Sequence, residues 1–220
     1  GIRSLGWNYK PLGNFRTPRT IGRGGAGYST FDYDLFMQHR PELYSPEVTA
    51  EEMWERMESF MRAVIPVAEK TGVTMALHPD DPPVPEPLGG VAQVCSTTDQ
   101  FRRIFDAVPS DSHRMLFCQG CMTELLGQGV YDFIAEMSAK NKVQWVHFRN
   151  VRGQLPHFEE VFMDEGDIDM KRAMEVYRDN GFNGPFMMDH TPQFQGGDSA
   201  RYGKAYANGY IRRLIQEVYG

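Results

Sequence analysis

The sequence predicts an α/β fold built on a parallel sheet, and three observations carry that expectation. Strand-like and helix-like segments alternate along most of the chain. The strand-like segments are apolar on both faces, as parallel strands covered by helices must be. The helix-like segments repeat their apolar residues at helical spacing, so each has one face to bury. Five βα units can be counted in the 220 residues. A closed (β/α)8 barrel needs eight units and about 250 residues. Either three N-terminal units are absent from this chain, or the sheet is open. With no long repeat and no boundary in composition, residues 1–220 read as a single domain.

Residues 2–9 (IRSLGWNY) read as a first strand ending near Asn8. Residues 10–35 are rich in Gly, Pro, Arg and Thr, include GRGGAG at 22–27, and read as one long loop. Thr49 and Glu52 form a capping box, and apolar residues then recur from Met53 through Met57, Met61, Ile65 and Ala68. Pro66 should kink this helix and Gly72 should end it. The strands VTMALH (73–78), RMLFCQG (114–120), VQWVHFRN (143–150) and PFMMDH (185–190) follow. Helices are expected over 98–108, 130–138, 168–180 and 200–218.

Composition narrows the function classes. The net charge of −6 is spread over both signs, with no block of Lys or Arg to follow a phosphate backbone, so nucleic acid is not an expected partner. No run of eighteen apolar residues offers a membrane span, and no basic-then-apolar leader opens the chain. Three cysteines are too few for a disulfide scaffold, so reduced thiols and a cytoplasmic setting are expected.

Four strands end on side chains able to bind a metal. They are His78 in ALHPDD, Cys118 in LFCQG, His147 in WVHFRN and Asp189 in MMDH. In a parallel barrel the C-terminal strand ends share one face, where active sites form. A mixed N, S and O set suits a divalent transition metal. Taken singly, each residue has a plainer reading: a strand-end histidine is commonly structural, and a buried cysteine is commonly inert packing. The coincidence of four such endings favours a common site. Cys118 and Cys121 also spell C-x-x-C, but no second pair accompanies them, and Cys121 and Cys95 read as structural. His39 and His113 read as surface residues; His157, in the loop LPHFEE (155–160), could approach the site but reads better as solvated. Asp80 and Asp81 read equally well as partners that orient His78 or anchor its loop and as caps of the turn before Pro82. His190 can face the opening. Arg149 could hold a substrate carboxylate in bidentate fashion, and Tyr202 could move a proton or simply pack.

Taken in order, HPDDPP (78–83), the C-x-G at Cys118, the H-F-R at His147, GDIDM (166–170) and the D-H at Asp189 resemble mannonate dehydratase of the hexuronate pathway. The opening GIRSLGWNYKPLGNFRT is similar to that family's G-I-R-x-x-x-x-N-x-x-P followed by R-T, whereas GRGGAG has no counterpart in it. The resemblance implies a TIM barrel of the xylose isomerase-like type, with strands four to eight carried here. It implies metal ligation by His78, Cys118, His147 and Asp189, with Mn²⁺ as the typical ion and Fe²⁺ or another divalent metal as substitutes. His190 and Tyr202 match catalytic positions, and Asn8, Arg16 and Arg149 match substrate-side positions. The implied reaction is dehydration of D-mannonate, a small sugar acid, to 2-keto-3-deoxy-D-gluconate, in a homo-oligomer, expected as a dimer. Two other readings use the same residues: a metal-dependent sugar isomerase or epimerase on the same barrel, and a non-catalytic remnant that binds metal or sugar acid.

Overall fold

A computed structural model of the protein describes residues 1–10, 13–39 and 47–220. Parts of the expected 10–35 loop and of the stretch before Thr49 therefore lie outside the described residues. The chain runs through β1 (Ser4–Trp7), β2 (Thr17–Ile21), β3 (Gly27–Asp32), α1 (Tyr33–Gln38), α2 (Ala50–Thr71) and β4 (Thr74–Leu77). It continues through α3 (Thr98–Ala107), β5 (His113–Cys118), α4 (Gln119–Leu126), α5 (Val130–Ala139) and β6 (Val143–His147). The last elements are β7 (Val151–Gln154), β8 (His157–Glu160), α6 (Met170–Asp179), β9 (Phe186–Met187) and α7 (Ser199–Val218).

Strands β1, β4, β5, β6 and β9 form one parallel sheet in chain order. The order never reverses, as it does at the switch point of a doubly wound sheet. Successive strands simply add on one side, which is how a barrel wall grows, and the sheet is a half-barrel. The continuous apolar strands explain the arrangement: Met75, Leu77, Met115, Phe117, Val143 and Val146 are buried in the main core with the apolar faces of the helices. Helix α2 shows the pattern well. Its Thr49–Glu52 capping box forms, Met57, Met61, Ile65 and Ala68 are buried on one side, and Gly72 ends it at φ 66°. Each fully buried methionine there contributes about 1.5–3 kcal/mol of apolar transfer. The helix runs on through Pro66, which sits on the exposed side where water can reach the carbonyl the ring leaves unpaired.

The expected loop at 10–35 is a correction. It contains β2 and β3, an antiparallel pair whose turn is the glycine-rich segment, with Gly24 and Gly25 at φ 64° and 76°. The expected loop LPHFEE (155–160) likewise contains the whole of β8, which pairs with β7. These four strands make a second, antiparallel sheet in the order β2-β3-β8-β7. They are short and polar, and bury only small clusters such as Phe31, Phe36, Val84, Leu88 and Phe158. Helix α4 also goes beyond the expectation, starting directly after Cys118. His113 is buried rather than on the surface: it packs edge-on to Phe105 at 5.1 Å, and burial lowers its pKa to about 4. His39 and His157 are exposed.

Candidate active site

The parallel register sets the site. Cys118 closes β5 directly opposite His147 at the end of β6, and His147 in turn pairs with Met187 of β9. His78 follows the last residue of β4, and Asp189 stands two residues past β9. The ligating atoms of His78, Cys118 and His147 lie within 4.8 Å of one another. Asp189 completes the group: Oδ1 is 3.4 Å from His147 Nδ1, and Oδ2 is 3.7 Å from Cys118 Sγ. The four residues singled out from strand ends are therefore brought together.

The donor set fits a divalent transition metal on several observations. His147 Nδ1 is buried and has no hydrogen-bond partner, a costly state for a polar atom unless something else fills it. His78 Nδ1 contacts the Pro79 carbonyl at 2.6 Å, which leaves Nε2 for a ligand. Cys118 is held well below the ordinary thiol range. Burial opposes this, and the hydrogen bond from Cys121, the Arg149 charge and both imidazoles overcome it. Cys121, 3.2 Å from Cys118 and itself raised by burial, stays the thiol that donates.

Beside the four lies a charged group that sequence reasoning reached only in part. Arg149 is 3% exposed and is held by carboxylates, with Nε 2.9 Å from Asp189 Oδ2 and Nη1 2.9 Å from Glu124 Oε1. Its guanidinium fits only because Gly120 has no side chain; a Cβ there would come within 2.3 Å of it. Arg149 thus supports Asp189 and is not free to take a substrate carboxylate. Arg16 is similarly engaged, 2.6 Å from Asp81 and 2.5 Å from Glu160. Neither Asp80 nor Asp81 orients His78. Asp80 accepts from the Cys95 amide at 2.9 Å and anchors the loop, and burial raises its pKa to about 6.

His190 reaches Glu160 with Nδ1 at 2.6 Å and lies 3.3 Å from Asp189 through Nε2. Burial disfavours its charged form, but the Glu160 contact outweighs this and raises its pKa. Glu160 is held low: Arg149, His190 and Arg16 together overcome its burial. Sequence reasoning missed Glu124 and Glu160. A glutamate inside the apolar CMTELL run was the available sign for Glu124; the unrecognised second sheet hid Glu160. Asn8 borders a cleft of about 280 Å³ that His78 and His147 line. A second cleft, of about 360 Å³, is lined by Asp189 and His190 together with Arg19 and Lys204. Tyr202 is not brought to the cluster: it is 51% exposed and lies edge-on to Phe194 beside Gly197.

A family model described as D-mannonate dehydratase matches residues 29–219. The chain belongs to the D-mannonate dehydratase family. It is 32% identical over 195 residues to the mannonate dehydratase of Lactococcus lactis subsp. cremoris, covering 84% of this chain and 52% of that protein. The counterpart from Lactococcus lactis subsp. lactis is 32% identical over 174 residues, covering 74% and 48%. The chain thus spans about half the length of these relatives. The crystal structure of mannonate dehydratase from Streptococcus suis serotype 2 superposes with a TM-score of 0.82 at 23% identity, over 98% of this chain and 68% of that one. A xylose isomerase-like TIM barrel protein from Mycobacterium smegmatis, solved with magnesium, superposes with a TM-score of 0.57 at 15% identity, over 81% and 55%. Both place the fold among barrels of this type.

Proposed function

We propose that the protein takes part in the dehydration of D-mannonate to 2-keto-3-deoxy-D-gluconate, as a hydro-lyase that uses a divalent metal, Mn²⁺ first among the candidates. The observation that carries this reading is the convergence of His78, Cys118, His147 and Asp189 in a chain of this family. These four residues would hold the ion, which when bound supplies Lewis-acid stabilisation of the negative charge that develops on a sugar acid losing its C2 proton. That proton lies α to a carboxylate and is barely acidic, so a base must be aimed at it, and an acid must meet the departing C3 hydroxyl. His190 is a proton carrier beside the cluster, 3.3 Å from Asp189 and lining the second cleft. We assign it one of the two proton transfers. Tyr202, the other position the family resemblance points to, lies outside the cluster and is given no transfer here. Arg149 positions Asp189, and Asn8 lines the substrate side.

The isomerase or epimerase reading has less support. Enzymes of that kind surround the ion with several carboxylates, whereas here a thiolate and two imidazoles stand beside one carboxylate. The test is a coupled assay for 2-keto-3-deoxy-D-gluconate, with the purified protein, Mn²⁺ and D-mannonate. Product formation that depends on Mn²⁺ supports the proposal. Metal binding with no product would leave a metal- or sugar-acid-binding protein, and an isomerised or epimerised sugar acid would favour the second reading.

A further inference from the structure

One of the strand-end residues has a second sulfur within reach. Cys118 closes β5 and is the N-cap of α4, and Cys121 is the third residue of that helix. An N-cap side chain is aimed over the third residue of its helix, so the strand-to-helix junction itself turns one sulfur towards the other. The two Sγ atoms stand 3.2 Å apart, and both thiols are free. An S–S bond is about 2.0 Å long, so a closure of about 1 Å joins them. Cys121 is also held from its other side. Gly120 leaves room for the Arg149 guanidinium, whose Nη2 donates to Cys121 Sγ at 3.4 Å. Both sulfurs are enclosed, yet His78 and His147 line the cleft of about 280 Å³ and have ligating nitrogens within 4.8 Å of Cys118 Sγ. One layer of imidazole therefore stands between this sulfur and the cleft.

We propose that Cys118 and Cys121 form a dithiol that hydrogen peroxide converts to a disulfide when the four-residue cluster holds no ion, and that this bond withdraws the sulfur ligand until a thiol reductant reopens it. The chemistry takes two steps. Cys118 Sγ attacks one peroxide oxygen, the O–O bond breaks, and a water leaves, with a sulfenic acid remaining on Cys118. Cys121 Sγ then attacks that sulfur, the S–O bond breaks, and a second water carries the oxygen away. In sum, two thiols give up two electrons and two protons to one peroxide, and one disulfide and two waters result. A bound ion occupies the Cys118 sulfur and blocks the first step. Protection by the ion rests on the reading of His78, Cys118, His147 and Asp189 as the metal site, whereas the disulfide itself does not. Cys121 gains a role that packing alone would not give it. Without a resolving thiol, Cys118 passes on to a sulfinic acid, which thiol reductants do not reverse.

The experiment exposes the reduced protein to hydrogen peroxide, once stripped of metal by a chelator and once loaded with Mn²⁺. Intact mass, free-thiol count and Mn²⁺ affinity by titration calorimetry are measured before and after. The metal-free protein should lose about 2 Da and fall from three free thiols to one, with peptide mapping joining Cys118 to Cys121. Its Mn²⁺ affinity should drop more than about tenfold and return with dithiothreitol. The Mn²⁺-loaded protein should keep its three thiols over the same exposure. Metal-free Cys121→Ser should instead gain about 32 Da on Cys118 and fail to regain affinity after dithiothreitol. A metal-free protein that keeps all its thiols, a bond made to Cys95, or a sulfinic acid on Cys118 beside a free Cys121 overturns the proposal. Equal oxidation of a sample shown by calorimetry to hold its ion overturns the protection. A reduced protein that binds no Mn²⁺ sinks the metal-site reading instead, and the mass and thiol count still decide whether the disulfide forms.

Discussion

Replacing Arg149 by leucine separates two accounts of this residue. Its guanidinium is 3% exposed, makes 2.9 Å contacts to both Asp189 and Glu124, and has Asp81 and Glu160 at 3.7 and 3.6 Å. Removing one member of such a buried group strands its partners without charge compensation, at a cost of about 3–5 kcal/mol. For a chain of this size each kcal/mol moves the melting midpoint by about 2–4 °C. Arg149→Leu should therefore lower the midpoint by roughly 6–20 °C in a calorimetric or circular-dichroism melt. Metal affinity should fall with it, because Asp189 loses its support. Adding Glu124→Leu removes one stranded carboxyl and should recover part of the loss, the non-additivity expected of direct partners. An Arg149→Leu protein that melts within about 2 °C of the original, with a raised KM for the sugar acid, would refute the reasoning and restore a substrate-facing arginine.

Three further outcomes follow from the same geometry. Cys118→Ser should weaken Mn²⁺ binding well over tenfold by titration calorimetry, whereas Cys121→Ser, which keeps a hydroxyl donor to Cys118, should bind the ion nearly as before. Tyr202→Phe should leave kcat, metal content and melting unchanged, because the exposed phenol lies outside the cluster, and a kcat lowered by about 100-fold would bring it back into the chemistry. His113, with its pKa lowered by burial from 6.5 to about 4, stays neutral in the fold while the unfolded chain takes up a proton. Its contribution is complete above about pH 6.5 and is lost as the pH falls towards 4, by up to about 3 kcal/mol. Urea unfolding of His113→Gln and of the original protein should accordingly converge across that window, and a gap that stays constant with pH would contradict this.

Much of the site was legible because parallel strands impose a rule. Once continuous apolar runs mark strands, their last residues must gather on one face, and His78, Cys118, His147 and Asp189 do so. Helix α2 was legible from its capping box and single buried face, and α3 from its amphipathic spacing, whereas α1 and α4 were not anticipated. What escaped depends on contacts distant in sequence. Arg149 looks like a ligand-holding arginine until Glu124, 25 residues away, is seen to occupy it. The antiparallel sheet pairs β3 with β8 across more than a hundred residues, and its polar strands carry no apolar alternation. Glu160 could not be connected to His190 without it. His113 misled because its neighbours Ser112 and Arg114 are polar, although the strand carries it inward.

The most direct test of the central claim is anomalous diffraction at the manganese edge from crystals grown with Mn²⁺. A single peak is expected within about 2.0–2.5 Å of the His78 and His147 ring nitrogens, Cys118 Sγ and an Asp189 oxygen. A peak among Asp81, Glu160 and His190 instead, or none at the strand ends, would contradict it.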